Sequence, residues 1–105
     1  MVVEAVTSEE SFDQYLKTKP LVVVDFYATW CGPCRMVSPR IETISASNSS
    51  ILFLKVDTDK LESLAGRYGI SALPTFVFFK DGKKVDEVVG ADVSLVTSKI
   101  SSFSK

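Results

Sequence analysis

The sequence predicts an α/β protein built on a mixed sheet of five strands, with four helices covering both faces. Apolar runs rich in β-branched and aromatic residues alternate with segments whose apolar residues recur at helical spacing. The run Leu21–Tyr27 is apolar almost throughout, which is typical of a strand buried on both faces. No repeat or linker interrupts the 105 residues, so residues 1–105 are predicted to form a single domain.

The first half of the chain predicts two strands and two helices. A strand over Val2–Val6 precedes Thr7-Ser8-Glu9-Glu10, which fits a capping box that opens a helix. Pro20 ends this helix, and the central strand follows. The second helix begins at the Cys31-Gly32-Pro33-Cys34 turn. Its apolar period resumes after Pro39, so we expect that proline to kink the helix rather than end it.

The second half predicts a strand that pairs in parallel with the central one, then a helix, a hairpin and a closing helix. The turn signal Asp81-Gly82-Lys83 favours an antiparallel hairpin between its flanking strands. In chain order the predicted segments are a helix end and loop at Ser45–Ser50, a strand at Ile51–Val56, a helix at Asp59–Tyr68 capped by Gly69, strands at Thr75–Lys80 and Lys84–Val89, and a helix at Asp92–Phe103.

The composition excludes several classes of function. A net charge of −1 and a pI near 5.3 provide no basic surface for nucleic acid or an anionic membrane. The N-terminus has no basic targeting region, and no apolar run approaches the roughly 20 residues that span a bilayer, so a cytoplasmic location is expected. Two cysteines and no histidine make a structural zinc site improbable and exclude imidazole-dependent catalysis.

The two cysteines lie at positions 31 and 34, at the predicted start of a helix. Residues three apart share a helix face, so their sulfurs come within reach of each other. The free N–H groups and positive dipole at the helix start favour the thiolate of Cys31, which makes it the natural nucleophile, and Pro33 stiffens the turn. An inert disulfide or two buried thiols are the alternatives, but a disulfide closing so short a loop stabilises little.

Two other residues and one short segment carry chemical information, and each also has a plainer interpretation. Asp25 interrupts the buried strand, where an unpaired carboxylate is costly and its pKa should rise; the alternative is a strand-edge residue that faces solvent. Trp30 precedes the dithiol and could equally be a core aromatic. The segment Asp57-Thr58-Asp59 indicates a strand end and a helix cap rather than a metal site.

The segment Val24–Thr29 followed by Trp30-Cys31-Gly32-Pro33-Cys34 resembles the thioredoxin family. The resemblance extends over nearly the whole chain and implies the thioredoxin fold. The clearest departure is Ser38, where alanine is common before Pro39, and it affects no catalytic assignment. Four more segments match the family pattern in order: Lys55-Val56-Asp57, Ala72-Leu73-Pro74-Thr75, Phe79-Lys80-Asp81-Gly82 and Val89-Gly90-Ala91.

The resemblance implies a protein-disulfide reductase with no cofactor beyond a redox-active Cys31–Cys34 disulfide. In this reaction Cys31 attacks the substrate, Cys34 resolves the mixed disulfide, and Asp25, tempered by Lys55, takes the proton of Cys34. Leu73-Pro74 resembles the family's cis-proline loop, although without the resemblance a trans proline is the better expectation. The implied apolar rim around Cys31 that binds substrate comprises Trp30, Gly32, Pro33, Leu73, Pro74, Gly90 and Ala91.

The implied partners are a thioredoxin reductase as electron donor and disulfide-containing targets such as peroxiredoxins, methionine sulfoxide reductases and ribonucleotide reductase. A monomer is expected. Two alternatives stay open. One is an oxidase or isomerase, although such relatives usually have His between the cysteines and a secretory signal. The other is a binding module that holds partners through the apolar rim and tolerates Cys34→Ser.

Overall fold

The computed structural model describes residues 2–104 as a five-stranded mixed sheet with helices on both faces. The expected α/β architecture is therefore confirmed. The strands run in the order β1-β3-β2-β4-β5. Their bounds are β1 Val3–Ala5, β2 Leu21–Tyr27, β3 Leu52–Asp57, β4 Thr75–Lys80 and β5 Lys83–Val89, and those of the helices are α1 Glu9–Tyr15, α2 Gly32–Ala46, α3 Glu62–Arg67 and α4 Val93–Phe103.

Strand β2 lies at the centre of the sheet, and the chain passes from its end at Tyr27 to the two cysteines at the start of α2. It pairs in parallel with β3, as predicted, and antiparallel with β4. In the parallel register Asp25 lies opposite Lys55. Because side chains alternate along a strand, these two residues point to the same face of the sheet as Val23 and Phe53, the face that α2 and α4 cover.

Two apolar cores fix the helices on the sheet. The core on the α2 and α4 face contains Phe76 and Phe78 from β4, and the core on the α1 and α3 face contains Phe12 and Phe79. Phe12 is fully buried and meets Phe79 edge to face, with the ring centroids 5.8 Å apart. Burial of aromatic residues on both sheet faces stabilises the framework from which the loops of the site project.

Several helix ends differ from the prediction. The N-cap of α1 is Ser8 rather than Thr7, and its partner in the capping box is Ser11, whose N–H donates to the Ser8 hydroxyl across 3.1 Å. Helix α3 begins at Glu62 rather than Asp59. Thr7 and Ser8 are both residue types that cap helices, so the local sequence leaves the start of α1 ambiguous by one residue.

The predicted glycine-dependent ends and turns are confirmed. Gly69 has a φ of +63° after α3, and the N–H of Ile70 donates to the carbonyl of Ala65, which closes the helix with a Schellman arrangement. In the hairpin, Asp81 and Gly82 both have positive φ and form a two-residue turn that matches the twist of the strands.

Helix α2 begins at the dithiol and continues past Pro39 to Ala46, as predicted. Pro33 lies in its first turn, where the missing N–H would have no helical partner in any case. The kink expected at Pro39 stays a prediction. The helix therefore holds Cys31 at its N-cap and Cys34 within its first turn.

Candidate active site

The sulfurs of Cys31 and Cys34 are joined in a disulfide, and the two Cα atoms are 5.3 Å apart. The backbone N–H of Cys34 donates to Sγ of Cys31 across 3.2 Å, and the N–H of Cys31 is bound by the carbonyl of Ala28. A helix N-terminus that points an N–H group at a sulfur stabilises negative charge on that sulfur. Cys31 is only 5% exposed and Cys34 4%, so a partner can reach the disulfide only where the surrounding surface opens.

An open groove of about 420 Å³ lies beside Cys31. Four predicted rim residues line it, namely Trp30, Gly32, Pro33 and Leu73. The groove is also lined by Thr58, Ile70 and Ser71, which the sequence reasoning missed. Thr58 directly follows β3 and Ile70 lies three residues after α3, so only the packing of those elements around the dithiol could reveal them.

Trp30 is 67% exposed, so the alternative of a core aromatic is wrong. Its indole Nε1 donates to the carboxylate of Asp59 across 2.9 Å. Asp59 itself is held in a tight turn, because its backbone N–H donates to Oδ1 of Asp57 across 3.0 Å. The expected helix cap in this segment is therefore wrong, since α3 starts three residues later and Asp59 instead orients the tryptophan at the edge of the groove.

The Leu73–Pro74 peptide bond is cis. Leu73 packs against the small cluster that contains Cys31 and Cys34, which places this loop opposite the dithiol. Pro74 is buried, and its carbonyl accepts a 2.8 Å hydrogen bond from the N–H of Gly90. The structure thus joins Gly90 to the proline loop. Pro74, Gly90 and the exposed Ala91 do not line the groove itself.

Asp25 lies behind the disulfide, away from the groove. Its side chain is 8% exposed, and it lines a cavity of about 220 Å³ together with Cys34 and Lys55. Burial raises the pKa of Asp25 to about 7, although the positive charge of Lys55 opposes the rise. Oδ1 of Asp25 has no hydrogen-bond partner among the described residues. The alternative of a solvent-facing Asp25 is therefore wrong.

The arrangement has the parts of a dithiol exchange centre. A disulfide at a helix start can accept and return two electrons. A buried carboxyl whose pKa lies near neutrality can take a proton and release it at physiological pH. The fold and this site resemble those of dithiol–disulfide oxidoreductases.

Sequence comparison agrees with this class: the thioredoxin family profile matches residues 3–102, and the chain belongs to the thioredoxin family. It is 45% identical over 104 residues to thioredoxin of Malassezia sympodialis, covering 99% of that protein. It is 46% identical to Thioredoxin-2 of Pyricularia oryzae and 51% identical to Thioredoxin H-type 1 of Nicotiana tabacum. These two matches include 96% and 78% of this chain, respectively. They span only 59% and 65% of the length of the two relatives.

Solved structures give the same assignment. The chain superimposes on Plasmodium falciparum thioredoxin with a TM-score of 0.92 at 37% identity, over 96% of this chain and 99% of the other. It also matches a chain from a structure that addresses the structural basis of the thiol resolving mechanism in yeast mitochondrial 1-Cys peroxiredoxin via glutathione/thioredoxin systems. That match has a TM-score of 0.91 at 31% identity and covers 95% and 94% of the two chains.

Members of the family need no cofactor beyond their redox-active disulfide. Within residues 2–104 no group of three or more His, Cys, Asp or Glu side chains is placed to hold a metal ion. In the same range, no helix has the length and apolar character required to cross a membrane.

Proposed function

We propose that this protein is a protein-disulfide reductase that transfers two electrons from Cys31 and Cys34 to disulfides in target proteins. The proposal rests on one observation: the Cys31–Cys34 disulfide lies between an open groove and a cavity that contains a buried carboxyl. An open groove gives access to Cys31, and a buried carboxyl lies on the side of Cys34. A structural crosslink requires neither.

The reaction begins with the reduced dithiol. The thiolate of Cys31, favoured by the N–H of Cys34 at the helix start, attacks one sulfur of the substrate disulfide and releases the other as a thiolate. Cys34 then loses its proton and attacks Sγ of Cys31. This step forms the Cys31–Cys34 disulfide and releases the second substrate thiolate, so two electrons have passed to the substrate.

We assign the deprotonation of Cys34 to Asp25. Both residues line one cavity, and the pKa of about 7 gives Asp25 a basicity suited to general-base catalysis near neutral pH. Lys55 is the positioning residue for Asp25, because it lies opposite in the β2–β3 register and its charge limits the rise of the pKa. Without Lys55, Asp25 would stay protonated to a higher pH and would accept the proton of Cys34 less readily.

The groove beside Cys31 is assigned to the substrate polypeptide. Its lining includes the apolar side chains of Trp30, Pro33, Ile70 and Leu73, so an apolar extended segment fits it. Gly32 adds no side chain to this surface and allows the backbone of the substrate to approach. Pro74, Gly90 and Ala91 are assigned an indirect part: the hydrogen bond from Gly90 to Pro74 supports the loop that carries Leu73.

The wider context is proposed from the family. A thioredoxin reductase would return electrons to the disulfide, and the targets would include peroxiredoxins, methionine sulfoxide reductases and ribonucleotide reductase. The peroxiredoxin system named for one structural relative supports the first of these targets. We further propose that the chain acts in electron transport in the cytoplasm, as a monomer, with residues 1–105 forming one domain.

The test is the reduction of insulin by the protein in the presence of excess dithiol, comparing the wild type with Cys31→Ser and Cys34→Ser. The proposal requires fast reduction by the wild type alone. Activity no higher than the dithiol background would contradict it and would favour a binding module. A reduction potential in the range of oxidising relatives would contradict the direction of electron transfer.

A further inference from the structure

A polar stripe on α2 leads away from the dithiol. Cys34, Ser38 and Glu42 follow one another at intervals of four residues, so they lie on one face of the helix. Two cavities lie along this face. The first, described above, is lined by Asp25, Cys34, Ser38 and Lys55. A second cavity, of about 270 Å³, is lined by Asp25, Ser38 and Lys55 again and also by Glu42.

Asp25, Ser38 and Lys55 line both cavities, so the two cavities are neighbours, and Ser38 is itself exposed to solvent. Polar side chains therefore line the way from Cys34 to Glu42. Two carboxylate oxygens at this passage are buried and have no hydrogen-bond partner among the described residues: Oδ1 of Asp25 and Oε2 of Glu42. A buried acceptor left unpaired costs free energy, because it has given up its hydrogen bonds to water. A hydrogen-bond donor bound between the two oxygens would therefore stabilise both carboxylates.

Water is the donor that fits. A buried water molecule needs two to four polar partners and about 30 Å³ of space, so a cavity of this size accommodates several. Asp25 and Glu42 supply acceptors, the Lys55 ammonium supplies donors, and the Ser38 hydroxyl supplies both.

Glu42 lies at the outer end of the passage. Its side chain is half-buried, and Oε1 accepts 3.2 Å hydrogen bonds from the N–H groups of Val2 and Val3. The bond to Val2 lies in an exposed position at the start of the chain's first strand. Oε1 of Glu42 thus fixes the start of the first strand through hydrogen bonds, and Oε2 is available to accept a hydrogen bond from water. The reaction proposed above assigns no role to Glu42.

We propose that the passage binds a chain of water molecules, which carries the proton that Asp25 takes from Cys34 to the surface by way of Ser38 and Glu42. The inference rests on the proposed function. The proton leaves Sγ of Cys34 for the Asp25 carboxylate, moves through the water chain and the Glu42 carboxylate, and enters bulk solvent. No electron moves along this path. Glu42 is a positioning and relay residue, because it does not touch the reacting sulfurs.

Other titratable or charged groups border the same cavities and must be considered in any pH profile. Tyr27 and Arg35 line the cavity behind the disulfide. Asp57 and Lys60 line an adjoining cavity on the far side of Lys55. Neither of the last two lines the passage from Asp25 to Glu42.

The test follows the fluorescence of Trp30, the single tryptophan, after reduced protein is mixed with insulin in a stopped-flow instrument. Formation of the mixed disulfide and its resolution are separate phases, and Cys34→Ser identifies the second by its loss. The informative variant is Glu42→Gln, which keeps an oxygen for Val2 and Val3 but cannot carry the proton. Glu10→Gln, at an exposed position on α1, is the matched control for loss of one negative charge.

At pH 6 we expect Glu42→Gln to slow resolution on the order of tenfold, below the 10²–10⁴-fold of a direct acid–base group, and to leave formation unchanged. Added formate should restore the rate, since a small diffusible acid can replace the relay. Ser38→Val, which removes the hydroxyl shared by the two cavities and leaves Glu42 in place, should also slow resolution and decides the matter if Glu42→Gln does not fold. The control should match wild type.

Resolution at the wild-type rate in Glu42→Gln or, where that variant does not fold, in Ser38→Val would overturn the inference. So would equal slowing of both phases, or a loss that formate does not restore in Glu42→Gln. None of these results touches the proposed function. That proposal fails separately, if the wild type itself shows no resolution phase.

Discussion

Replacing Asp25 with asparagine should stabilise the protein at neutral and alkaline pH. Burial raises the pKa of Asp25 from its ordinary 3.8 to about 7, so the folded protein holds a proton that the unfolded chain has already released. Between these two values the folded state binds more protons than the unfolded state. The free energy of unfolding must therefore fall as the pH rises through this window.

The magnitude follows from the two pKa values, which lie about three pH units apart. At about 1.36 kcal/mol for each unit, ionisation of Asp25 removes up to about 4 kcal/mol of stability above pH 7. Asparagine has nearly the same shape and no charge, so it avoids this loss. We expect the difference between variant and wild type to be smallest below pH 4, to grow up to pH 7, and to stay level above it.

Urea denaturation of both proteins from pH 4 to pH 9 measures this difference. Asp13→Asn is a suitable control, because the Arg67 guanidinium, 2.8 Å away, lowers the pKa of Asp13. The charge of Asp13 is stabilising, so this variant should lose a little stability above pH 4 instead of gaining it. A difference for Asp25→Asn that does not change with pH, or that shrinks as the pH rises, would refute the reasoning.

Three further predictions concern the reaction, the groove and the core. The rate of mixed-disulfide resolution should rise with pH through about 7 in the wild type, and Asp25→Asn should remove this rise and slow the step roughly hundredfold. Stopped-flow rates of Asp25→Asn that still rise with pH would contradict Asp25 as the base. Asp59→Ala should free Trp30 and lower its fluorescence anisotropy at a cost of about 1 kcal/mol or less; unchanged anisotropy would deny Asp59 this role. Phe12→Ala should destabilise the protein by about 3–5 kcal/mol in urea unfolding, and a loss below 1 kcal/mol would mean that the core around α1 closes over the cavity.

The order of the elements could be predicted because each element leaves a local signal. The run of β2, apolar except for Asp25, the helical period of α2 and the two-residue turn after β4 depend only on neighbouring residues. The start of α3 could not be predicted in the same way. Asp59 offers a suitable cap, but its carboxylate is occupied by the indole of Trp30, a partner 29 positions away in the chain.

The chemistry of the dithiol could be predicted from its spacing, but its surroundings could not. The burial of Asp25 depends on how α2 closes over β2 and β3, and the groove depends on where Ile70 and Leu73 pass the cysteines. Glu42 carries no motif, and only its hydrogen bonds to the first strand and its place beside Lys55 draw attention to it. Such long-range contacts are properties of the folded chain.

The most direct test of the central claim is mass spectrometry of Cys34→Ser after incubation with an oxidised protein substrate. We predict a stable adduct of protein and substrate joined through Cys31, released by added dithiol, and no adduct when Cys31 is also replaced by serine. The wild type should pass its electrons on and retain no adduct. Failure of Cys34→Ser to capture substrate, or capture that persists without Cys31, would contradict the assignment of Cys31 as nucleophile and Cys34 as resolving thiol.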